Sequence, residues 1–400
     1  MGLIPVAEAL DRILAGVASL PGEHVPTGEA QGRVLCEDLA ALRTQPAAPV
    51  SAMDGYAVRA ADLPGTLAVI GEASAGAAFE GSVNAGEAVR IFTGAVVPAG
   101  ADAVVIQEAT TREGARVTIA EPIAAGRNIR VQGLDFTAGS LLLPRGRRLT
   151  ARDIGLAAAA NHALVPVHRR PRVAFISTGD ELVLPGETPG PAQIVASNQI
   201  TLAALLAAEQ VDVLDLGIVP DQLDATERAI AAAREWPADV LVTAGGASVG
   251  ERDLVQSALT RAGMDLSFWK VALRPGKPLI HGRLGPMAVL GVPGNPVSAY
   301  VCALLFLVPL VRQLSGRSDV TLPIEPAVLG CDLPGNDQRA DYMRARLAKD
   351  ARGGWIATPF PVQDSSMLRT LAEADALLVR APHAPPATAG DRCDVIRLPA

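Results

Sequence analysis

The order of apolar and polar positions divides the chain into stretches of different character. Residues 3–20 carry apolar side chains at helical spacing (Ile4, Ala7, Leu10, Ile13, Leu14, Val17) and stop at Pro21-Gly22, which predicts an N-terminal helix. From Asp38 to Thr150 the pattern shortens. The runs 88–92, 103–107 and 116–119 are β-rich and lie between closely spaced Gly/Pro turns, as in a small all-β unit. Residues 153–167 are Ala-rich and read as helix, and His168-Arg169-Arg170-Pro171 reads as a linker.

After Pro171 strands and helices alternate. Residues 172–177 form a short continuous apolar run, as in a strand covered on both faces. Ser197 or Asn198 is placed to cap a helix over 199–209, and 211–219 reads as the next strand. Asp224-x-x-Glu227 resembles a capping box for a helix that ends near Trp236-Pro237. A strand over 239–243, a helix over 253–262 and a strand over 287–292 complete the series. Such alternation with short connections predicts a doubly wound, mostly parallel sheet with right-handed crossovers. From Thr321 onward short β-rich runs return between prolines, as in a small barrel or sandwich.

Composition narrows the partners. Lys+Arg number 35 against 42 Asp+Glu, a formal net charge of −7, which argues against nucleic acid as the main partner. A small anion in a local basic pocket stays open. The four cysteines (Cys36, Cys302, Cys331, Cys393) are far apart without a C-x-x-C, so neither a zinc site nor a disulfide framework is expected. The start, with Glu8 and Asp11 and no basic n-region, is unlike a signal peptide. The most apolar run, 297–311, contains Ser298 and Pro309 and falls short of the roughly 20 residues of a membrane span. It predicts a buried helix in a soluble, cytoplasmic protein.

Candidate chemistry gathers in loops that follow the strands, where open α/β sheets bind ligands. The first loop is Ser177-Thr178-Gly179-Asp180-Glu181-Leu182. The second holds Gly245-Gly246 and Ser248, either a cradle of free N–H groups for a phosphate or a plain strand–helix turn. The third, 291–300, holds Gly294, Asn295, Pro296 and Ser298. Asn295 as N-cap and Pro296 as first helical residue would aim N–H groups at the same crevice, or would only cap. Asp180, Glu181, Asp221 and Asp253 follow strand ends, costly places beside an anion unless Mg²⁺ bridges carboxylate and phosphate; the alternatives are helix caps and an exposed turn. Lys270 and Arg274, four apart, share a face if 268–278 is one extended strand, with Lys277 in the turn beyond. Three cations there suit a phosphate or tetrahedral oxyanion, or else form a solvated strand edge. No His spacing suits a metal and no nucleophile–base pairing suggests itself, so covalent catalysis by the protein is not expected.

Eight strings occur in a shared order: S-A-M-D-G-Y-A-V-R (51–59), R-I-F-T-G-A (90–95), G-A-D-A-V-V (100–105), N-I-R-x-x-G-x-D (128–135), S-T-G-D-E-L (177–182), G-G-A-S-V-G-E-R-D (245–253), F-W-K-V-A-L-R-P-G-K-P (268–278) and G-V-P-G-N-P-V-S-A-Y (291–300). Together they resemble the molybdopterin molybdenumtransferase family, the MoeA proteins and the E domain of gephyrin. The resemblance implies a molybdopterin-binding α/β domain over 171–316 and a β-rich N-terminal domain over 41–137. It also implies a helical linker domain of 1–40 with 138–170, and a C-terminal β-barrel over 320–400. It implies Mg²⁺-dependent insertion of molybdate into adenylylated molybdopterin with release of AMP, by a homodimer whose site lies between subunits, with other molybdenum-cofactor biosynthesis proteins as further partners.

Carried onto this chain, the family's catalytic positions are Asp54, Thr93, Glu181, Asp221, Asp253, Lys270, Arg274 and Lys277, with Glu181, Asp221 and Asp253 toward the metal. Arg344 and Ser365 would be the last domain's contribution, joining the loop residues Ser177, Gly179, Asp180, Gly245, Gly246, Ser248, Gly294, Asn295, Pro296 and Ser298 at the substrate. Gln363-Asp364-Ser365-Ser366 departs from a Q-G-S-H-like stretch. An adenylyltransferase sharing the α/β domain, or a non-catalytic scaffold of the same fold, are the alternatives.

Overall fold

The structure, a computed structural model, describes residues 2–245 and 254–399. Its central sheet has six strands in the order Asp212–Val219, Arg172–Thr178, Val240–Ala244, Met287–Val292, Pro278–Leu284, Asp265–Lys270. The first four run parallel and the last two are antiparallel additions. Alternate residues of Arg172–Thr178 enter opposite cores. Val173 and Phe175 pack against Asn198–Ala207 and the long helix after Asn295, while Ala174 and Ile176 meet Leu223–Glu235 and Leu254–Arg261. Burial on both faces is why the strand reads as one apolar run. The predicted doubly wound sheet is present, with an antiparallel edge that the alternation did not reveal.

The long helix Pro296–Leu314 has 19 residues, and 83 % of its most apolar window is buried, so it is a core helix of this domain. A wider turn, Ala303–Leu307, precedes Pro309, whose ring would meet the carbonyl of Leu305 in a regular helix. The N-terminal helix is shorter than predicted, Val6–Leu14, and begins behind Pro5. Its Ala9 and Ile13 belong to the α/β core, and Ile4 bridges Val271 in parallel.

The Ala-rich segment is only half helical. Helix Ala151–Ala159 starts on a capping box of Thr150 and Asp153 and ends before Asn161, which has a φ of 75°. Leu164–His168, expected as the end of a helix and the start of a linker, is a strand antiparallel to Gly22–Pro26. Val165 and Val167 alternate inward there, and Pro166 has no amide for a helical bond.

The β-rich segment forms a six-stranded sheet in the order Ala103–Ile106, Gly55–Val58, Glu87–Ile91, Gly65–Ala73, Arg116–Ile119, Thr110–Glu113. At the other end of the chain, Ala340–Lys349, Trp355–Pro359, Glu325–Leu329, Arg392–Arg397 and Ala376–Arg380 pair in that order and close back on the first, a five-stranded barrel. The two-residue strand Leu273–Arg274 adds to this barrel beside Ala340 and Asp341. The cationic segment of the α/β domain is thereby joined to the barrel.

Candidate functional site

The acidic corner of the N-terminal sheet is built on Gly55. A Cβ there would stand 1.8 Å from the Val105 carbonyl oxygen, so only glycine lets the strands Gly55–Val58 and Ala103–Ile106 approach. Asp54 projects from the mouth of this pair. Its Oδ1 accepts both the Thr93 hydroxyl and the Thr93 amide, each at 2.7 Å. The Thr93 hydroxyl first, then its amide, hold the Asp54 carboxyl below the usual carboxylate range, with the Arg90 charge adding to them. Arg90 donates to the Gly55 carbonyl at 3.0 Å and to Gln107 Oε1 at 2.6 Å, and lies over the rings of Tyr56 and Phe92. Its place was not foreseen, although it opens the R-I-F-T-G string.

At the strand ends of the α/β domain the polar groups divide. The Ser177 hydroxyl donates to Gln199 Oε1, and Gln199 Nε2 donates to Asp215 at 3.0 Å; Ser177 is buried and committed to this chain. Asp180 accepts the Asp221 amide at 3.0 Å, which brings the ends of Arg172–Thr178 and Asp212–Val219 together. Glu181 is folded back over Gly179, where an added Cβ would stand 2.5 Å from its Oε2. Asp180, Glu181 and Asp221 are exposed. Gly245, at a φ of 99°, packs so closely on Thr178 that a Cβ would meet its carbonyl at 2.6 Å. Gly246, Ser248 and Asp253 lie outside the described residues. Among the described residues no three acidic, His or Cys side chains converge as a metal cluster.

A third group gathers where helix Pro296–Leu314 begins. Pro296 is the first helical residue, but the Asn295 side chain does not cap. It donates instead to Ser365 Oγ at 2.9 Å, and the Val297 amide donates to the Ser365 carbonyl at 3.0 Å. Ser365 thus crosses from the barrel to the helix start. Asn198 Nδ2, predicted only as a cap, donates to the Gly294 carbonyl at 2.7 Å, and Ser298 is buried behind it. On the barrel strand, Gln363 grips Arg344 by both its amide and its carbonyl, each at 3.0 Å.

The Arg344 side chain is 0 % exposed. Its Nη2 donates to the Asp364 carbonyl at 2.9 Å, while Nε and Nη1 have no partner among the described residues. Burial lowers its pKa from the ordinary value, opposed by the charges of Asp341 and Asp364.

The three cations do not share one strand. Asp265–Lys270 ends at Lys270, the Val271 amide turns to the Lys277 carbonyl at 3.0 Å, and Arg274 lies on the separate strand in the barrel sheet. Pro275 and Pro278 have no amide with which to extend the first strand, and the Ala340 amide takes up the Ala272 carbonyl. The expected common face of Lys270 and Arg274 is therefore absent. Lys270 lies over the Trp269 ring at 4.8 Å, half buried. Lys277 is exposed. Arg274 is already paired, donating to Asp341 at 2.6 Å, Asn336 at 2.9 Å and Asp337 at 3.2 Å.

Among the described residues no hydrogen bond or ion pair within one chain links Asp54 or Thr93 to the α/β loops. A cavity of about 780 Å³ is present, but it is apolar, lies between Leu10, Leu305, Leu322 and Ile324, and holds none of these residues.

Three family descriptions match in sequence: "MoeA N-terminal region (domain I and II)" over 4–161, "Probable molybdopterin binding domain" over 174–313 and "MoeA C-terminal region (domain IV)" over 326–398. The chain is 36 % identical over 361 residues to a molybdopterin molybdenumtransferase of Haemophilus influenzae, covering 89 % of each chain. It is 34 % identical over 388 residues to that of Bacillus subtilis, covering 94 % of this chain and 90 % of the other. A crystal structure of a molybdopterin biosynthesis MoeA protein from Pyrococcus horikosii superposes with a TM-score of 0.87 at 29 % identity, over 100 % of both chains.

Proposed function

The chain belongs to the molybdopterin molybdenumtransferase (MoeA) family, and from that premise we propose that it inserts molybdate into adenylylated molybdopterin, releasing AMP. The observation that carries this reading is Arg344. A buried guanidinium with two unmet donors is costly unless an anion receives them. Its Nη2 donates to the carbonyl of Asp364, the neighbour of Ser365, and Ser365 in turn meets Asn295 and the start of helix Pro296–Leu314, so in this reading the cation and the helix start lie to either side of one short segment. In this reading Lys270 and Lys277 supply further positive charge from the α/β domain.

The acids at the other strand ends serve the pyrophosphate. Glu181 and Asp221, with Asp253, are hard oxygen donors of the type Mg²⁺ accepts, and one or two carboxylates suffice where substrate phosphates complete the shell. Bound there, Mg²⁺ would neutralise charge on the pyrophosphate. Asp180 fixes the Asp221 loop through its amide, and Gly245 lets the second loop approach the first. Rate then comes from charge neutralisation and positioning rather than from a covalent intermediate.

Asp54 and Thr93 enter from the neighbouring subunit of a homodimer in this reading. Large apolar side chains exposed on both halves, among them Leu42, Leu134 and Leu141 and Leu184, Ile194 and Ile200, are compatible with cover by a second copy. The four free cysteines suit a reducing cytoplasm.

The test is incubation with adenylylated molybdopterin, Mg²⁺ and molybdate. AMP release that requires molybdate, stops with a chelator and disappears in Asp253→Ala is expected. No AMP from the folded protein overturns the reading in favour of a scaffold. Mixing the impaired Asp54→Asn with inactive Asp253→Ala should raise AMP release above that of Asp54→Asn alone if the site spans two chains; no rise in verified mixed dimers rejects that arrangement.

A further inference from the structure

Three short segments meet at the foot of Asp54. Its carboxylate takes the Thr93 hydroxyl and amide, and its backbone carbonyl takes the Gln107 amide at 3.0 Å. The next carbonyl, that of Gly55, takes Arg90 Nη1 at 3.0 Å. Arg90 Nη2 reaches Gln107 Oε1 at 2.6 Å and so joins the last two grips to each other. Arg90 stands in the strand Glu87–Ile91 opposite Tyr56, and Thr93 follows just past the end of that strand. The stretch that holds the Asp54 carboxylate thus also holds the backbone beneath it.

The guanidinium is oriented by its surroundings. Its carbon lies 5.2 Å from the Tyr56 ring centre and 4.8 Å from that of Phe92, and both acceptors it meets are neutral oxygens. A planar fork donates in two fixed directions at once, which an ammonium on a flexible stem does not. Gly55 has no side chain to brace the loop, because a Cβ there would meet the Val105 carbonyl.

We propose that Arg90 is a positioning residue whose guanidinium ties Gly55 to Gln107 and so fixes the direction in which Asp54 leaves the sheet. Its effect on AMP release rests on the function given above; its effect on the loop does not. Without the fork, Asp54 keeps its Thr93 donors, but the backbone that carries it is held on one side only.

The experiment follows hydrogen exchange of the Thr93 and Gln107 amides in the full-length protein, together with AMP release as a function of pH. Arg90→Met, which keeps the stem and loses the fork, should speed both exchanges and lower kcat by about tenfold, with KM within about twofold. It should also move the acid limb of the pH–rate profile upward, by less than Thr93→Val, because the Arg90 charge is the smallest of the influences that lower the Asp54 carboxyl. Arg90→Lys keeps the charge without the fork, so the limb should stay in place while kcat recovers only in part. Gln107→Ala should slow the reaction a few-fold in wild type and add nothing to Arg90→Met, since both cut one tie. Unchanged exchange in Arg90→Met overturns the proposal, as does full recovery of kcat in Arg90→Lys or additivity with Gln107→Ala. Should Arg90→Met not fold, Gln107→Ala, at an exposed side chain, decides alone: unchanged exchange and kcat there also overturn it. Wild type that releases no AMP sinks the function and leaves the exchange rates to decide the tie.

Discussion

The Asp54–Thr93 corner and the buried Arg344 beside the Asp364–Ser365 segment are opposites in how their hydrogen bonds are met. In the corner, Asp54 takes both Thr93 donors, and Arg90 is spent on Gly55, Gln107 and two aromatic rings. At Arg344, a fully buried guanidinium has two donors without a partner among the described residues. A self-satisfied network presents a fixed shape and charge, whereas an unsatisfied one stores a demand for ligand. The first positions and the second binds.

The largest effect that separates them is expected at Arg344. Arg344→Gln should cost about 100-fold or more in oxyanion binding and AMP release. Arg344→Met should lose binding as well, yet leave thermal stability equal or higher, because an unpaired buried cation is exchanged for apolar volume. A steep fall in the unfolding midpoint for Arg344→Met, read by calorimetry, would assign Arg344 to structure instead.

Gly55→Ala should act on the corner through stability. Its Cβ would meet backbone at 1.8 Å, so a loss of about 3 kcal/mol or more is expected in denaturant unfolding. Oxyanion binding by the fraction still folded should persist. Loss of that binding in proportion to nothing but the mutation would merge the two regions into one unit.

Asp54→Asn is expected to lower AMP release by about 10- to 100-fold while molybdate affinity stays within about twofold. The pH response follows the direction of the Asp54 shift. A carboxyl lowered in the folded state contributes its stabilising bond above the unfolded value and loses it as the pH falls through the lower, folded value. Thr93→Val should therefore move the acid limb of the pH–rate profile upward, toward the ordinary carboxylate range. An unmoved limb would mean that Asp54 does not govern it.

The smallest change is expected from Asn295→Ala. It removes one donor to Ser365 but leaves the Val297 amide in place, so molybdate affinity should fall only a few-fold. A loss as large as that of Arg344→Gln would make Asn295, not Arg344, the centre of the site.

Much of the α/β layer was legible because burial on both faces writes itself into composition: 287–292 was predicted as the strand later found, and 172–177 fell one residue short. Leu164–His168 was not legible, because an Ala-rich prefix hides a strand whose partner, Gly22–Pro26, is far away in the chain. The acids past the strand ends could be named from position alone, and Asp180 and Asp221 are indeed joined. That Ser177 turns to Gln199, and that Arg274 leaves its neighbours for the barrel, could not be named.

From its sequence alone this protein has its layers, its family and the loops that carry the chemistry, since apolar period, turn residues and ordered motifs are local properties. Which charges remain free is a tertiary matter. Lys270 and Arg274 stand four apart in the chain, yet the barrel takes one of them, because Asp341 reaches it from 67 residues away. Arg344 could be named from the family pattern, but that two of its donors have no partner among the described residues follows only when folding removes its water. Desolvation and long-range pairing are set by the closed fold, and they decide which cations are left for a ligand.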